Sequence, residues 1–161
     1  MSKIVVSDAS PLNYLALIGD EALLPRLFST VLIPPAVAAE LSSKDTPAVV
    51  ARLMSDPPPW LEIHAPKKIL PALGLDAGET EAISLAVELG IGAILMDERK
   101  GRRLAAKSGL LTVGTLAILE ESASRGWIDF EGHINRLRCT SFRIHEQLIA
   151  EATERLRTKR R

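Results

Sequence analysis

Short runs of β-branched and aliphatic residues alternate with longer helical patterns along the chain, and this alternation limits the fold more than any other feature. Strands are predicted at residues 4–6, 31–33, 60–63, 93–96 and 111–113. Strands that alternate with helices pair in parallel, and a parallel sheet is covered by helices on both faces. The sequence therefore predicts an α/β fold with a central parallel sheet flanked by helices.

Helices are predicted from proline, glycine and capping signals. Ser10 and Pro11 predict the N-cap and first position of a helix that ends at Leu17. The other predicted helices cover residues 21–28, 35–41, 47–54, 76–89, 99–107, 115–125, 130–138 and 145–157. Residues 66–75 are predicted to form a loop. The last ~20 residues are therefore predicted to form a C-terminal helical extension of the domain.

The size and composition of the chain suit one domain. With 161 residues, 47% of them hydrophobic, residues 1–161 can bury a core without disulfides. The single cysteine, Cys139, cannot form a disulfide within the chain, so we expect a reducing, cytoplasmic location. The longest uncharged run, residues 27–39, is far shorter than the about 20 apolar residues of a membrane span. We therefore expect no membrane partner.

Charge is unevenly distributed along the chain although the net charge is zero. Residues 1–98 carry seven more acidic than basic side chains, and residues 99–161 carry the opposite excess. This distribution excludes a uniformly basic nucleic-acid binder as the simple interpretation. It is compatible with an acidic site beside a basic rim.

Two aspartates follow predicted strands directly. Asp8 comes after the first strand and Asp97 after the fourth. In an open parallel sheet the binding crevice lies beyond the carboxyl ends of the strands, so both side chains are expected at one edge. Helix capping is the alternative for both. Ser10 already supplies a cap near Asp8, whereas Asp97 directly precedes Glu98 and could itself be an N-cap.

Two glutamates are candidates because of their positions in predicted helices. Glu79 lies on an otherwise apolar helix face, whereas Glu81 and Glu88 fall off that face and are interpreted as solvated surface. The alternative for Glu79 is a capping box with Asp76 as the N-cap. Glu40 stands late in a short helix, where a surface position is the alternative. An inward carboxylate there would be costly to bury unless it were paired or bound to metal.

Four carboxylates without a histidine or cysteine cluster suit a hard divalent cation. Mg²⁺ and Mn²⁺ prefer oxygen ligands and keep several waters, whereas zinc fits such a set poorly. A cation of this kind activates water and neutralises the charge that develops on a phosphodiester during in-line attack. Phosphodiester hydrolysis is therefore the chemistry predicted for Asp8, Glu40, Glu79 and Asp97.

Four short segments follow one another along the chain. They are VSDASPL at 6–12, IPPAVAAEL at 33–41, LDAGE at 75–79 with AI at 82–83, and LMDE at 95–98 with GR at 101–102, followed by Gly114-Thr115. In this order and spacing they resemble the PIN-domain family, from residue 3 to about residue 140. The likeness is to the toxin-type ribonucleases of toxin–antitoxin pairs and to a related, poorly characterised bacterial branch. No single segment is specific for the family, so the prediction depends on all of them together.

The resemblance implies a three-layer α/β fold, a Mg²⁺ or Mn²⁺ site, an RNA substrate, a homodimer and an antitoxin protein as inhibitory partner. It also implies metal-ligand roles for Asp8, Glu40, Glu79 and Asp97. The best-known toxins have an aspartate as the third acid. Either Glu79 or Asp76, which lies one turn earlier, is therefore the third ligand.

Polar and basic residues near the acids are candidates for contacts with the substrate. Ser10 is interpreted either as a helix cap or, by resemblance, as a hydrogen-bonding partner of a metal-bound water or phosphate. Arg102 belongs to the Gly-Arg element and is predicted to contact the RNA backbone, whereas Arg99, Lys100 and Lys107 are interpreted as a solvated helix face. The basic C-terminus is interpreted as a complement to the dipole of its helix.

The leading hypothesis is a metal-dependent endoribonuclease that acts as the toxin of a toxin–antitoxin pair. The alternative is a catalytically inactive PIN-like domain that binds a protein partner or RNA. A receiver-like signalling domain would need a pair of acids after the first strand, where only Asp8 stands. A nucleotide-binding enzyme is disfavoured because the sequence has neither a phosphate-binding loop nor a dinucleotide fingerprint.

Overall fold

The computed structural model describes residues 4–71 and 74–159. Residues 72 and 73, in the middle of the predicted loop, lie outside the described residues, as do Lys3, Arg160 and Arg161. The described part of residues 66–75 contains neither helix nor strand, as predicted. Every candidate site residue lies within the described part of the chain.

Five strands in the described residues form one parallel sheet. They are β1 (Ile4–Ser7), β2 (Thr30–Ile33), β3 (Leu61–Ile63), β4 (Ala93–Leu95) and β5 (Leu111–Val113). Their order is β3-β2-β1-β4-β5, and every neighbouring pair is parallel. The chain moves outward from β1 in one direction and then returns to its other side at β4. The space beyond the carboxyl ends of β1 and β4 is therefore the topological switch point, where ligands bind in open α/β sheets.

Helices connect and cover the strands. Those in the described residues are α1 (Ala9–Leu17), α2 (Leu23–Leu27), α3 (Pro35–Leu41), α4 (Ala48–Ser55), α5 (Ala77–Leu89), α6 (Arg99–Lys107), α7 (Thr115–Ser124), α8 (Phe130–Arg138) and α9 (Glu146–Lys159). The bounds of α3, α6 and α8 are those predicted from the sequence. The other helices differ from the prediction by at most two residues at either end.

Alternate residues of the central strands point to opposite faces of the sheet and bury two separate cores. Val5 and Leu95 pack with α1, α3, α4, α7, α8 and α9. Val6 and Ile94 pack on the other face with α5 and α6. All four side chains are fully buried. The protein therefore has the predicted three-layer α/β fold, with a parallel sheet between two layers of helices.

The first helix begins two residues earlier than predicted. It starts at Ala9 with Asp8 in the N-cap position, so the prediction that Ser10 is the N-cap was wrong. Pro11 is tolerated in the first turn because the N–H groups there have no partner within the helix. The Asp8 side chain makes no capping hydrogen bond to the turn. The cap position therefore does not account for the Asp8 carboxylate.

The C-terminal helix α9 packs on the domain through Ile149, Ala152 and Leu156, which join the core on the α1 side of the sheet. Its contacts are mainly with α7. Among residues 4–71 and 74–159, no helix combines the length and the apolar character that a membrane crossing requires.

Candidate functional site

A cleft of about 1190 Å³ lies beyond the carboxyl ends of β1 and β4. All seven side chains singled out in the sequence line it: Asp8, Ser10, Glu40, Asp76, Glu79, Asp97 and Arg102. Asp8 and Asp97 follow the two central strands. Glu40 is brought to the cleft by α3 and Glu79 by α5, two helices in extensive contact with each other. The topology thus gathers residues that are far apart in the sequence at one place.

Asp8 is buried at the bottom of the cleft, with 7% of its surface exposed. Burial raises the pKa of its carboxyl from 3.8 to about 7, which the nearby Ala9 N–H opposes. The negative charges of Asp76, Glu40 and Asp97 raise this pKa further. The carboxylate form of Asp8 is therefore disfavoured in the metal-free protein.

Glu79 is the second buried acid of the cleft, with 6% of its surface exposed. Only half of the predicted capping box forms: Asp76 Oδ1 accepts a 2.8 Å hydrogen bond from the Glu79 N–H. Glu79 Oε2 is buried and has no hydrogen-bond partner among the described residues. Burial, together with the Asp76 carboxylate beside it, raises the pKa of Glu79 from 4.5 to about 8. The Glu79 carboxylate therefore points into the cleft and does not complete the cap.

Asp97 differs from these two acids because hydrogen-bond donors surround it. Its Oδ1 accepts from the Thr115 N–H at 2.7 Å. Its Oδ2 accepts from the Thr115 hydroxyl at 2.8 Å and from the Ser10 hydroxyl at 2.7 Å. Asp97 is not the N-cap of α6, because Glu98 holds that position and accepts from the Gly101 N–H at 3.1 Å. Ser10 is therefore not the helix cap, and its hydroxyl orients Asp97. Its predicted hydrogen bond to a metal-bound water or phosphate stays a prediction.

Among the acids singled out in the sequence, Glu40 and Asp76 are the exposed ones. Partial burial and the Asp76 charge raise the pKa of Glu40. The position of Glu40 depends on Glu81, whose Oε1 accepts from the Ala36 N–H at 3.1 Å at the start of α3. The N-cap of that helix is Pro34, which offers no side-chain acceptor. Glu81 was therefore wrongly interpreted as solvated surface, since it joins α5 to the helix that carries Glu40.

Glu88 is exposed, as predicted, but it also has a structural role. Its carboxylate accepts from the backbone N–H groups of Lys67 and Lys68 at 2.8–3.1 Å. These bonds lower the pKa of Glu88. Glu88 thus fixes the chain after β3 to α5.

Basic side chains lie along the rim of the acidic cleft. Arg102 lines it and donates from Nε to the Thr112 hydroxyl at 3.3 Å. Arg99 also lines the cleft, which its interpretation as part of a solvated face did not anticipate. Lys100 instead donates to the Gly74 carbonyl at 2.7 Å. In the part of the chain that the structure describes, neither arginine has a carboxylate within ion-pair distance.

The C-terminal wall of the cleft was not predicted from the sequence. Residues 141–155 contribute side chains to it, among them Ser141, Arg143, His145 and Arg155. One sequence pattern could have indicated this wall. Phe142 and Ile144, which pack on the core, alternate with polar residues that point away from it. The C-terminal extension is therefore part of the site.

Gly101 makes room for Glu79. A Cβ atom at Gly101 would lie 2.6 Å from Glu79 Oε2 and 2.6 Å from Met96 Sδ. Because Met96 is fully buried, neither neighbour can move without disturbing the core or the cleft. This contact explains the glycine of the Gly-Arg element in structural terms.

Gly101→Ala is expected to lower the free energy of unfolding by about 1–2 kcal/mol, because overpacking outweighs the greater helix propensity of alanine. Urea denaturation measures the change. Gly92→Ala is the matched control, since a Cβ atom there meets nothing within 4 Å. Equal stability of the two variants would show that Glu79 and Met96 yield without cost.

The candidate ligands in the cleft offer carboxylate oxygens, which are the donors that hard divalent cations prefer. The buried Glu79 Oε2 has no hydrogen-bond partner in the described residues, and two pKa values are raised toward neutrality. Both features indicate negative charge that a cation would stabilise. Between residues 4 and 159, leaving out the undescribed pair at 72 and 73, no group of three His, Cys, Asp or Glu side chains is already arranged to hold a metal. Cation binding would therefore require these carboxylates to converge.

A family model described as a PIN domain matches residues 4–158. No curated protein and no solved structure matches the chain significantly. The matched range includes the sheet, all the acids of the cleft and most of α9. The fold, the position of the acids at the switch point and this match agree, and the chain belongs to the PIN-domain family.

Proposed function

We propose that this PIN domain is a metal-dependent endoribonuclease that hydrolyses RNA phosphodiesters. The observation that carries the proposal is the meeting of Asp8, Glu40, Glu79 and Asp97 in one cleft. Burial and the charges of neighbouring acids raise the pKa values of the first three of them. Like charges of this kind are expensive unless a cation offsets them. PIN domains are generally nucleases, which supports hydrolysis as the reaction class.

These four carboxylates are proposed to hold Mg²⁺ or Mn²⁺. We assign the third ligand to Glu79 rather than Asp76, because Glu79 is buried at the bottom of the cleft whereas Asp76 caps α5 from an exposed position. When bound, the cation would supply a Lewis acid that activates water and neutralises charge on the phosphate.

The protein's own side chains are proposed to orient the ligands and the substrate. The Ser10 hydroxyl and the two Thr115 donors hold the Asp97 carboxylate in one orientation. Arg102 and Arg99 stand at the rim, where guanidinium groups contact phosphates without reading sequence. The acids would thus select the position of cleavage, and the arginines would hold the RNA backbone.

An inactive PIN-like domain that binds RNA or a protein partner is the second candidate. It is favoured by one observation: in the described residues no three acids stand ready to hold a metal. A cation-binding site that must form on binding has a lower affinity than a preformed one, because part of the binding free energy reorganises the ligands.

The biological setting completes the proposal. We infer that the protein is the toxin of a toxin–antitoxin pair, acts in the cytoplasm, forms a homodimer and is inhibited by an antitoxin protein. The support for this setting is the resemblance of the sequence to toxin-type ribonucleases. Co-expression with the product of a neighbouring gene would test the antitoxin.

Cleavage of a mixed pool of single-stranded and structured RNA tests the proposed reaction. The purified protein is expected to cleave with Mn²⁺ or Mg²⁺ and not with EDTA. Asp8→Asn is expected to abolish cleavage, which excludes a contaminating nuclease. Asp56→Asn is the control, because Asp56 is exposed and lies away from the cleft. Absence of cleavage with every ion would overturn the nuclease and favour the binding domain.

A further inference from the structure

A short connection between α8 and α9 forms part of the cleft wall. We call residues 139–145 the strap. Its side chains Ser141, Phe142, Arg143 and His145 line the cleft together with the acids. The strap packs on the core shared by α1, α7 and α9, whereas Arg99 and Arg102 belong to a helix on the opposite face of the sheet. The acids at the edge of the sheet therefore lie between two flanks, each of which presents at least one arginine to the cleft.

The strap is held in place although it has no helix or strand. Phe142 packs edge-on against Tyr14, with ring centroids 5.0 Å apart. The Tyr14 and Ser141 hydroxyls are 2.9 Å apart and share a hydrogen bond. The Thr140 hydroxyl oxygen accepts from the Phe142 N–H at 3.1 Å. Side chains that project from the strap toward the cleft thus start from a fixed backbone.

The two ends of the strap are also joined. Arg138 at the end of α8 forms a bidentate ion pair with Glu146 at the start of α9. This pair raises the pKa of Arg138 and lowers the pKa of Glu146. Both side chains are exposed, so the pair links the two ends of the strap without burying either charge.

Arg143 is the one strap residue that carries a permanent positive charge. It is exposed, and in the described residues its side chain makes no hydrogen bond and no ion pair. The other arginine on this side of the cleft, Arg155, is neutralised by Glu120 through two 2.7 Å hydrogen bonds. The charge of Arg143 is therefore available to an anionic ligand in the cleft.

We propose that Arg143 binds a backbone phosphate of the RNA substrate on the flank opposite Arg99 and Arg102. The substrate then crosses the buried acids as an unpaired strand held on both sides. A single strand can lower one phosphodiester between the two flanks, whereas the wide A-form duplex cannot reach acids that are as buried as Asp8 and Glu79. This proposal rests on the proposed ribonuclease function and adds a substrate-positioning residue that the sequence motifs do not contain.

Binding of a labelled single-stranded RNA of about 12 nucleotides tests the role of Arg143, with the length chosen to span both flanks. It is measured by fluorescence anisotropy in Asp8→Asn protein with Mg²⁺. Arg143→Gln is expected to weaken binding about tenfold and to reduce the slope of log K against log salt by about 0.7, the value for one phosphate contact on a single strand. Arg143→Lys is expected to restore most of the affinity, since lysine also binds phosphate.

Arg52→Gln is the matched control. Arg52 is an exposed arginine on α4 that does not line the cleft, so its replacement removes the same charge elsewhere. It is expected to change the affinity less than twofold. A dinucleotide is expected to bind equally to the protein with and without Arg143→Gln, because its single phosphate cannot occupy the acids and the strap together.

The outcomes separate the two proposals. Equal binding by the Arg143→Gln and Arg52→Gln variants, while protein with Asp8 intact cleaves RNA, overturns the role of Arg143 alone. Binding that depends on Arg143 without cleavage in any ion overturns the nuclease and keeps the strap as an RNA-binding element. No RNA binding by the unsubstituted protein overturns both.

Discussion

Replacing Asp8 with asparagine is expected to raise the free energy of unfolding of the metal-free protein by up to about 4 kcal/mol at pH 8, although it removes a proposed ligand. Burial and the charges of neighbouring acids raise the pKa of Asp8 from 3.8 to about 7. Each unit of difference between the folded and unfolded pKa corresponds to about 1.4 kcal/mol. Asparagine keeps the shape of the side chain and has no charge to bury.

The stability gained by this replacement is expected to depend on pH. A carboxyl group whose pKa is higher in the folded protein binds its proton more tightly there, so its contribution to stability falls as the pH rises. For Asp8 the fall extends from pH 3.8 to about pH 7. The gain from asparagine is therefore close to zero near pH 4 and complete above pH 7. Glu79, whose pKa is raised from 4.5 to about 8, makes the unsubstituted protein lose stability in the same direction.

Urea denaturation in EDTA at several pH values between 4 and 8 measures this gain. Asp56→Asn is again the control, because it removes a carboxylate from an exposed position. The difference between the two variants isolates the effect of burial from the change in net charge. An Asp8→Asn protein that is no more stable than the unsubstituted protein at pH 8 would contradict the burial of an uncompensated charge.

The burial of two acids in the cleft reflects opposite demands of stability and function. Natural sequences are locally consistent with their folds except at functional sites, where destabilising groups are retained. Asp8 and Glu79 are such groups, since each has less than a tenth of its surface exposed and each has a raised pKa. A site proposed to bind a cation needs such buried acids, although they destabilise the metal-free protein.

The fold was predictable because its local patterns agree with its tertiary structure. Helix α6 and strand β5 have the predicted bounds, and the parallel sheet follows from the alternation of strands and helices. The start of α1 was not predictable, because a distant partner decides it. The Ser10 hydroxyl, a good cap by residue type, instead bonds to Asp97, which is 87 residues away in the sequence.

The identities of the cleft acids were predictable, but their energetic differences were not. Residues at strand ends and on helix faces can be placed at one edge of a sheet from the sequence. Burial and hydrogen bonding depend on the packed structure, so the sequence could not separate the disfavoured charge of Asp8 from the well-bonded charge of Asp97. Arg143 could not be identified from the sequence for a similar reason, because the position of the strap depends on how α8 and α9 pack.

Asp97 is the acid whose loss should destabilise the fold. Its carboxylate joins three parts of the chain, since it follows β4, accepts from Ser10 on α1 and accepts twice from Thr115 at the start of α7. Thr115 is fully buried, so its N–H and hydroxyl cannot turn to water when the acceptor is removed. Each unsatisfied buried donor costs about 1–3 kcal/mol.

Asp97→Ala is therefore expected to lower the free energy of unfolding by about 3–5 kcal/mol, the opposite sign to Asp8→Asn. Urea denaturation in EDTA at pH 8 measures both changes under one condition. Ser10→Ala removes one of the three donors and is expected to cost about 1 kcal/mol. Asp97→Asn keeps an acceptor for the Thr115 N–H and should fall between them. If the Asp97→Ala protein were as stable as the unsubstituted protein, the hydrogen bonds of Asp97 would contribute nothing to holding β4, α1 and α7 together.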